Sequence, residues 1–139
     1  MDRFTRIYLA VLGVAALAVL IAVFYESPKV GALNALLADD AALSEYPYRF
    51  RVLGFDDGVA TMSTPRAANF NAFRALRILF PDLADEPDDS PRLYEAQQEL
   101  AAIQAAAADR VQSDPDVSRV AWELDERWLR KNGINPDLL

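Results

Sequence analysis

Residues 7–25 read IYLAVLGVAALAVLIAVFY, and this stretch decides how the rest of the chain is organised. It contains no charged residue and no proline, and its two tyrosines, Tyr8 and Tyr25, stand near its ends. A helix of this length extends about 28 Å, close to the bilayer hydrocarbon thickness of about 30 Å. Tyrosine rings favour the interfacial layers on either side. The sequence therefore predicts a single transmembrane helix over 7–25.

The charges beside this span predict its direction. Arg3 and Arg6 precede it, whereas Lys29 follows it. By the positive-inside rule, residues 1–6 are cytoplasmic and the C-terminal part of the chain lies outside. The competing interpretation is a cleaved signal peptide, whose apolar region is typically about 7–15 residues long and is followed by a small-x-small site. Here the apolar run is longer, and residues 24–28 read FYESP, so we expect an anchored protein of the bacterial inner membrane with a periplasmic domain.

Composition excludes several classes of function. The chain has 14 Lys and Arg against 21 Asp and Glu, a net charge of −7, and from residue 30 onward the net charge is −8. This charge repels phosphate backbones, so we expect no nucleic-acid partner. There is no cysteine and no histidine, which removes the commonest general base and the commonest metal ligand. We therefore expect a protein that is not an enzyme, with no catalytic residue, cofactor or bound metal.

After the span, residues 26–45 are expected to form a juxtamembrane connector, followed by one domain over 46–139. Within the connector, apolar residues recur at helical spacing and predict a short amphipathic helix over 30–43, which lies on the bilayer, packs on the domain or forms a partly ordered linker. Residues 46–53 alternate between apolar and charged side chains, as in a half-buried strand. The turn sequence Phe55-Asp56-Asp57-Gly58 then predicts a β-hairpin over 46–63.

Three helices and one further strand are expected beyond the hairpin. Thr64-Pro65 has the cap-then-proline pattern of a helix start, so a helix is predicted over 65–79. A longer, alanine-rich helix is predicted over 91–113, a strand over 117–124, and a short helix over 126–132 capped by Asp125. The order β-β-α-α-β-α predicts an α+β domain with a three-stranded sheet, covered by two helices on one face.

Two strand segments carry a resemblance to a known family. Residues 57–63 read DGVATMS and residues 116–120 read DVSRV, and both are similar to strand sequences of BON domains in bacterial envelope proteins. About thirty residues are involved. The chain departs from that pattern between the two segments, where it has two helices and an acidic loop in place of one short helix. We therefore assign no family from this resemblance.

The only site residues that the sequence suggests are candidate contacts to a protein partner. Gln97 and Gln104 flank the apolar stripe of the 91–113 helix, seven positions apart, and can contact a partner or border the core of their own domain. Trp128 lies on a short helix near the C-terminus and is a second candidate, since tryptophan is enriched at interface hot spots. Trp122 shares a strand face with Val120, so we expect it in the core.

Acidic clusters are the remaining candidates for chemistry. The 81–91 loop has five carboxylates but lacks the spacing of a calcium-binding loop, which favours a solvated loop over a metal site. Asp56 and Asp57 are typical turn residues.

These observations favour a membrane-anchored, non-enzymatic protein that acts as an interaction or assembly subunit. One alternative is a ligand-binding or sensor domain with a pocket between sheet and helices, lined by aromatic side chains. The residues proposed for that lining are Tyr48, Phe50, Phe70 and Phe73. A more distant alternative is a hydrolase that relies on carboxylates alone.

Overall fold

The computed structural model describes residues 2–24 and 27–139, in which six α-helices accompany an open three-stranded sheet. The predicted α+β class with a three-stranded sheet is confirmed. The helices are α1 (Arg3–Phe24), α2 (Pro28–Ala38), α3 (Ala41–Glu45), α4 (Ala72–Leu79), α5 (Pro91–Gln112) and α6 (Glu126–Lys131). The strands are β1 (Val52–Asp56), β2 (Val59–Thr64) and β3 (Arg119–Leu124), in the spatial order β1-β2-β3.

Helix α1 is long and apolar enough to cross a membrane. The qualifying segment, Arg3–Ala22, has 20 residues, and none of it is buried against the rest of the structure. Length and composition alone establish this property, which N-terminal signal sequences share. Tyr25 and Glu26, at the predicted end of the span, lie outside the described residues.

The segment predicted as a connector packs on the domain. It forms two helices instead of one, because Asp40 interrupts the helical run and its carboxylate caps α3 by accepting a hydrogen bond from Leu43 N at 3.2 Å. The apolar side chains Val30, Leu33, Leu37 and Leu43 are all buried in the main core. Residues 28–45 therefore share one hydrophobic core with the sheet, since their stripe at helical spacing faces the sheet and α5.

The hairpin is shorter than predicted, but its burial pattern is as expected. Tyr46, Tyr48, Phe50 and Val52 are buried and Arg49 is exposed, although the ladder of β1 begins only at Val52. Residues 46–51 belong to no strand, and the chain bends at 46–48. Period-two alternation reports which side faces the core, and it does not require a paired strand.

Strand β3 pairs with β2 in the parallel direction. Because β1 pairs with the other side of β2, β2 is the central strand. Val59 is opposite Arg119 and Thr64 is opposite Leu124. A parallel connection needs a crossover, and α4 and α5 supply it. Helix α5 agrees with the prediction for 91–113, and α6 agrees with that for 126–132, with the Asp125 side chain accepting from Trp128 N at 3.0 Å.

The predicted start of the 65–79 helix is wrong. Helix α4 begins at Ala72, and its cap is Asn71, whose side chain accepts from Arg74 N at 3.0 Å. Thr64 cannot cap because it is still part of β2. Its carbonyl accepts from Asp125 N at 2.9 Å, and its hydroxyl donates to Gln104 Oε1 at 3.1 Å.

The hairpin turn packs closely against the start of β3. Asp57 and Gly58 have φ of 48° and 77°, as in a two-residue type I′ turn. A Cβ placed on Gly58 would lie 2.7 Å from Ser118 Oγ, whereas one on Gly54 would meet nothing within 4 Å. Glycine is thus required at 58 for both its backbone conformation and its contact.

Gly58→Ala is expected to lower the free energy of unfolding by about 1–2 kcal/mol, because alanine is strained at positive φ and would also push against Ser118. Urea denaturation of the full chain in detergent, followed by circular dichroism, measures this. Gly54→Ala is the matched control, and an equal loss in both variants would contradict the argument.

Candidate functional site

A surface groove lies between the end of β2, the loop that follows it, and helices α4 and α5. We call it the Trp122 groove. Its volume is about 400 Å³, and its lining includes Thr64, Arg66, Asn71, Gln97, Gln104 and Trp122. The groove forms because α4 starts only at Ala72, so the 65–71 loop leaves open space in front of α5.

The two glutamines predicted as partner contacts line this groove together. Gln104 Oε1 accepts hydrogen bonds from Thr64 Oγ1 at 3.1 Å and from Arg66 Nε at 3.2 Å, which fixes the orientation of its amide. Gln97 is half-buried, and its amide makes no hydrogen bond within residues 2–24 and 27–139. One wall of the groove is therefore polar and partly available to a bound molecule.

The two tryptophans differ in exposure, and Trp122 is the more exposed one. Trp122 is 37% exposed, with its ring edge-to-face on Phe50 at 6.0 Å. Trp128 is half-buried and packs against two hydrophobic clusters, the main core and a second cluster formed by Phe70, Ala75 and Leu129. Its ring meets Tyr48 edge-to-face at 5.7 Å. The expectation of Trp122 in the core is wrong because β3 is the edge strand. The strand pattern signalled a shared face for Trp122 and Val120, but it carried no information on strand order.

A second polar cluster is buried beside Trp128. The Asp125 carboxylate accepts from Tyr48 Oη at 2.8 Å, from Arg51 Nη2 at 3.1 Å and from Trp128 N at 3.0 Å. Asp125 is only 6% exposed, and burial raises the pKa of Tyr48 far above its ordinary value. The sequence identified Asp125 as a helix cap but missed its other two partners, since they lie more than 70 residues away. All three hydrogen bonds give the Asp125 carboxylate a structural role.

Asp125→Asn is expected to destabilise the fold by about 2–3 kcal/mol, because it leaves the Arg51 guanidinium without its counter-charge and weakens the α6 cap. Chemical denaturation of the full chain measures the loss. Asp109→Asn, on an exposed position of α5, is the control and should change stability by less than about 0.5 kcal/mol.

Carboxylates of the acidic loop are paired with arginines. Arg92 contacts Asp82 at 2.7 Å and Glu86 at 2.9 Å, while Arg77 contacts Asp88 at 2.6 Å. The hydrogen bond from Ser90, with Arg92 beside it, lowers the pKa of Glu86 below its ordinary value. Over residues 2–24 and 27–139, no three acidic side chains are arranged to hold a metal ion.

The four aromatic residues proposed to line a pocket do not surround a common space. Tyr48 and Phe50 pack edge-to-face at 4.9 Å in the main core, whereas Phe70 belongs to the second cluster. Phe73 packs on Tyr94 with ring centroids 5.5 Å apart. Phe50 lines a separate surface cavity together with residues of α2 and α3, and none of the four lines the Trp122 groove.

Comparison of the chain with protein-family models, with curated protein sequences and with solved structures finds no match.

Proposed function

We propose that this chain is a single-pass protein of the bacterial inner membrane whose periplasmic domain docks a protein partner in the Trp122 groove. Its role is that of a non-enzymatic interaction or assembly subunit. The observation that supports this proposal best is the exposed Trp122 beside the half-buried amide of Gln97, in a groove open to solvent.

The anchor and its direction are supported by α1 and its flanking charges. The apolar side chains of α1 are exposed along Arg3–Ala22, as in a helix whose surroundings are lipid. Arg3 and Arg6 before the span favour a cytoplasmic N-terminus. Orientation follows from this charge bias alone.

The domain is attached to the anchor by a very short link. Only two residues separate Phe24 from Ser27, so their Cα atoms lie within about 11 Å of each other. Just beyond, Lys29 Nζ contacts Asp114 and Asp116, each at 2.7 Å, and fixes the first turn of α2 to the turn after α5. These hydrogen bonds raise the pKa of Lys29, while the bond from Lys29 lowers the pKa of Asp114. A short link confines the groove to the membrane surface and concentrates it near partners held there.

The groove itself has the composition of a protein-docking site. Tryptophan and arginine are enriched where interfaces gain most of their affinity, and Trp122 and Arg66 both line the groove. A buried hydrogen bond to an amide such as that of Gln97 adds specificity, because a partner without the matching group leaves the amide unpaired.

Neighbouring glutamines on α5 provide a direct test. A photo-crosslinking amino acid is placed at Gln97, in the groove, or at Gln98, which is exposed outside it. In intact cells, we expect one discrete protein adduct from position 97 and none from position 98. Equal labelling from both positions, or no protein adduct from position 97, would refute a docking role for the groove.

Ligand binding is the second candidate for the same groove. Its volume of about 400 Å³ lies within the range of small-molecule sites, which is about 300–1,000 Å³. A metabolite adduct at position 97 without a protein adduct would favour this role.

The chain has no cysteine, so one introduced cysteine reports topology. Ser113→Cys is chosen because Ser113 is exposed in the turn after α5. We expect a membrane-impermeant maleimide to label it once the outer membrane is permeabilised, with the inner membrane intact. Thr5→Cys, before the predicted span, should react only after lysis. The reverse pattern would place the domain in the cytoplasm.

A further inference from the structure

The two outer edges of the sheet differ in their hydrogen bonding. At β1, the Asn34 side chain caps the outer edge at Val52, since its Nδ2 donates to Val52 O at 3.1 Å and its Oδ1 accepts from Val52 N at 2.7 Å. At β3, by contrast, no hydrogen bond within the described ranges joins the outer edge of residues 120–124 to another element.

The hydrogen bonds at both ends of β3 show which residues point outward. Arg119 N donates to Gly58 O, and Asp125 N donates to Thr64 O. In a parallel pair, every second residue bonds to the neighbouring strand, so odd-numbered residues of β3 face β2. The backbone groups of Val120, Trp122 and Leu124 therefore point away from the sheet.

We propose that this edge pairs with β3 of a second copy of the chain, in an antiparallel arrangement with its two-fold axis at Ala121. Only this register places Arg119 opposite Glu123 of the second copy, twice by symmetry. On the other face, Val120 lies opposite Trp122 of the second copy, an aromatic and β-branched pair of the kind that stabilises sheets. The result is a continuous six-stranded sheet.

Charge complementarity is what selects a second copy as the occupant. From residue 30 onward the chain carries −8, which opposes self-association in general. Along β3, however, the sequence RVAWEL places one positive and one negative side chain symmetrically about Ala121. Both Arg119 and Glu123 are exposed, and neither forms an ion pair within residues 2–24 and 27–139. Their charges are thus free to pair between copies.

The geometry makes disulfide trapping at Ala121 the sharpest test. In the proposed register, the two Ala121 residues form a non-hydrogen-bonded pair with Cα atoms about 4.5 Å apart, within the range for a disulfide. Thr61 is the matched control, because it is the partner of Ala121 on β2 and is half-buried like it. The two Thr61 residues would lie about 14 Å apart, three strand spacings.

Full-length Ala121→Cys, in native membranes treated with copper–phenanthroline as oxidant, is expected to form a covalent dimer, whereas Thr61→Cys is expected to form no disulfide-linked dimer. Adding Arg119→Glu to Ala121→Cys places four negative charges together and should weaken the association by about tenfold, with a matching loss of dimer. Glu123→Arg should have a similar effect through four positive charges. The combination R119E/E123R should restore the dimer.

Four results would overturn the proposal. One is a monomeric Ala121→Cys protein. Another is equal crosslinking of the two cysteine variants. The third is a charge-reversed pair that fails to recover the dimer lost in the single variants. An adduct of Ala121→Cys with a different protein would also overturn it, by assigning the edge to another occupant.

Discussion

The buried carboxylate of Asp125 is the interaction on which the arrangement of the domain depends. It joins Tyr48 and Arg51, which are 77 and 74 residues away in sequence, and it caps α6 at the same time. Burial of a charge is unfavourable unless hydrogen bonds replace its hydration. Three donors on two separate segments meet this requirement, so the carboxylate fixes the 46–51 segment against the end of β3. That contact in turn positions Trp128 between the two hydrophobic clusters.

Helix α2 makes the two edges of the sheet different from each other. Its first turn is held by Lys29, and its Asn34 caps the β1 edge at Val52. The helix that follows α1 thus protects the start of this edge, whereas the Trp122 groove beside the opposite edge is open to solvent. Trp122, the more exposed of the two tryptophans, lies there. Protein edges that pair freely are an aggregation hazard, and the charged side chains of β3 restrict which strands can join it.

Several acidic side chains of this negatively charged chain are paired with arginine or lysine. Arg77 and Arg92 pair with carboxylates of the 81–91 loop, and Lys29 pairs with two more in the turn after α5. Exposed pairs of this kind contribute little stability individually. Their effect is to set the positions of loops that carry few apolar side chains. The net negative charge stays distributed over the surface.

The sequence by itself determined the features that depend on neighbours along the chain: the apolar α1, the stripe of α5, the Asp125 cap and the turn at Asp57-Gly58. Each follows from helical or strand periodicity, or from the conformational freedom of glycine. Tertiary structure alone decided the start of α4, the packing of α2, the parallel direction of β3 and the exposure of Trp122. These depend on strand order and on partners such as Gln104 for Thr64, forty positions apart, which no local pattern encodes. The Trp122 groove is therefore only half predictable: Gln97 and Gln104 share a helix face by spacing, but the strand that completes their site comes from a different part of the chain.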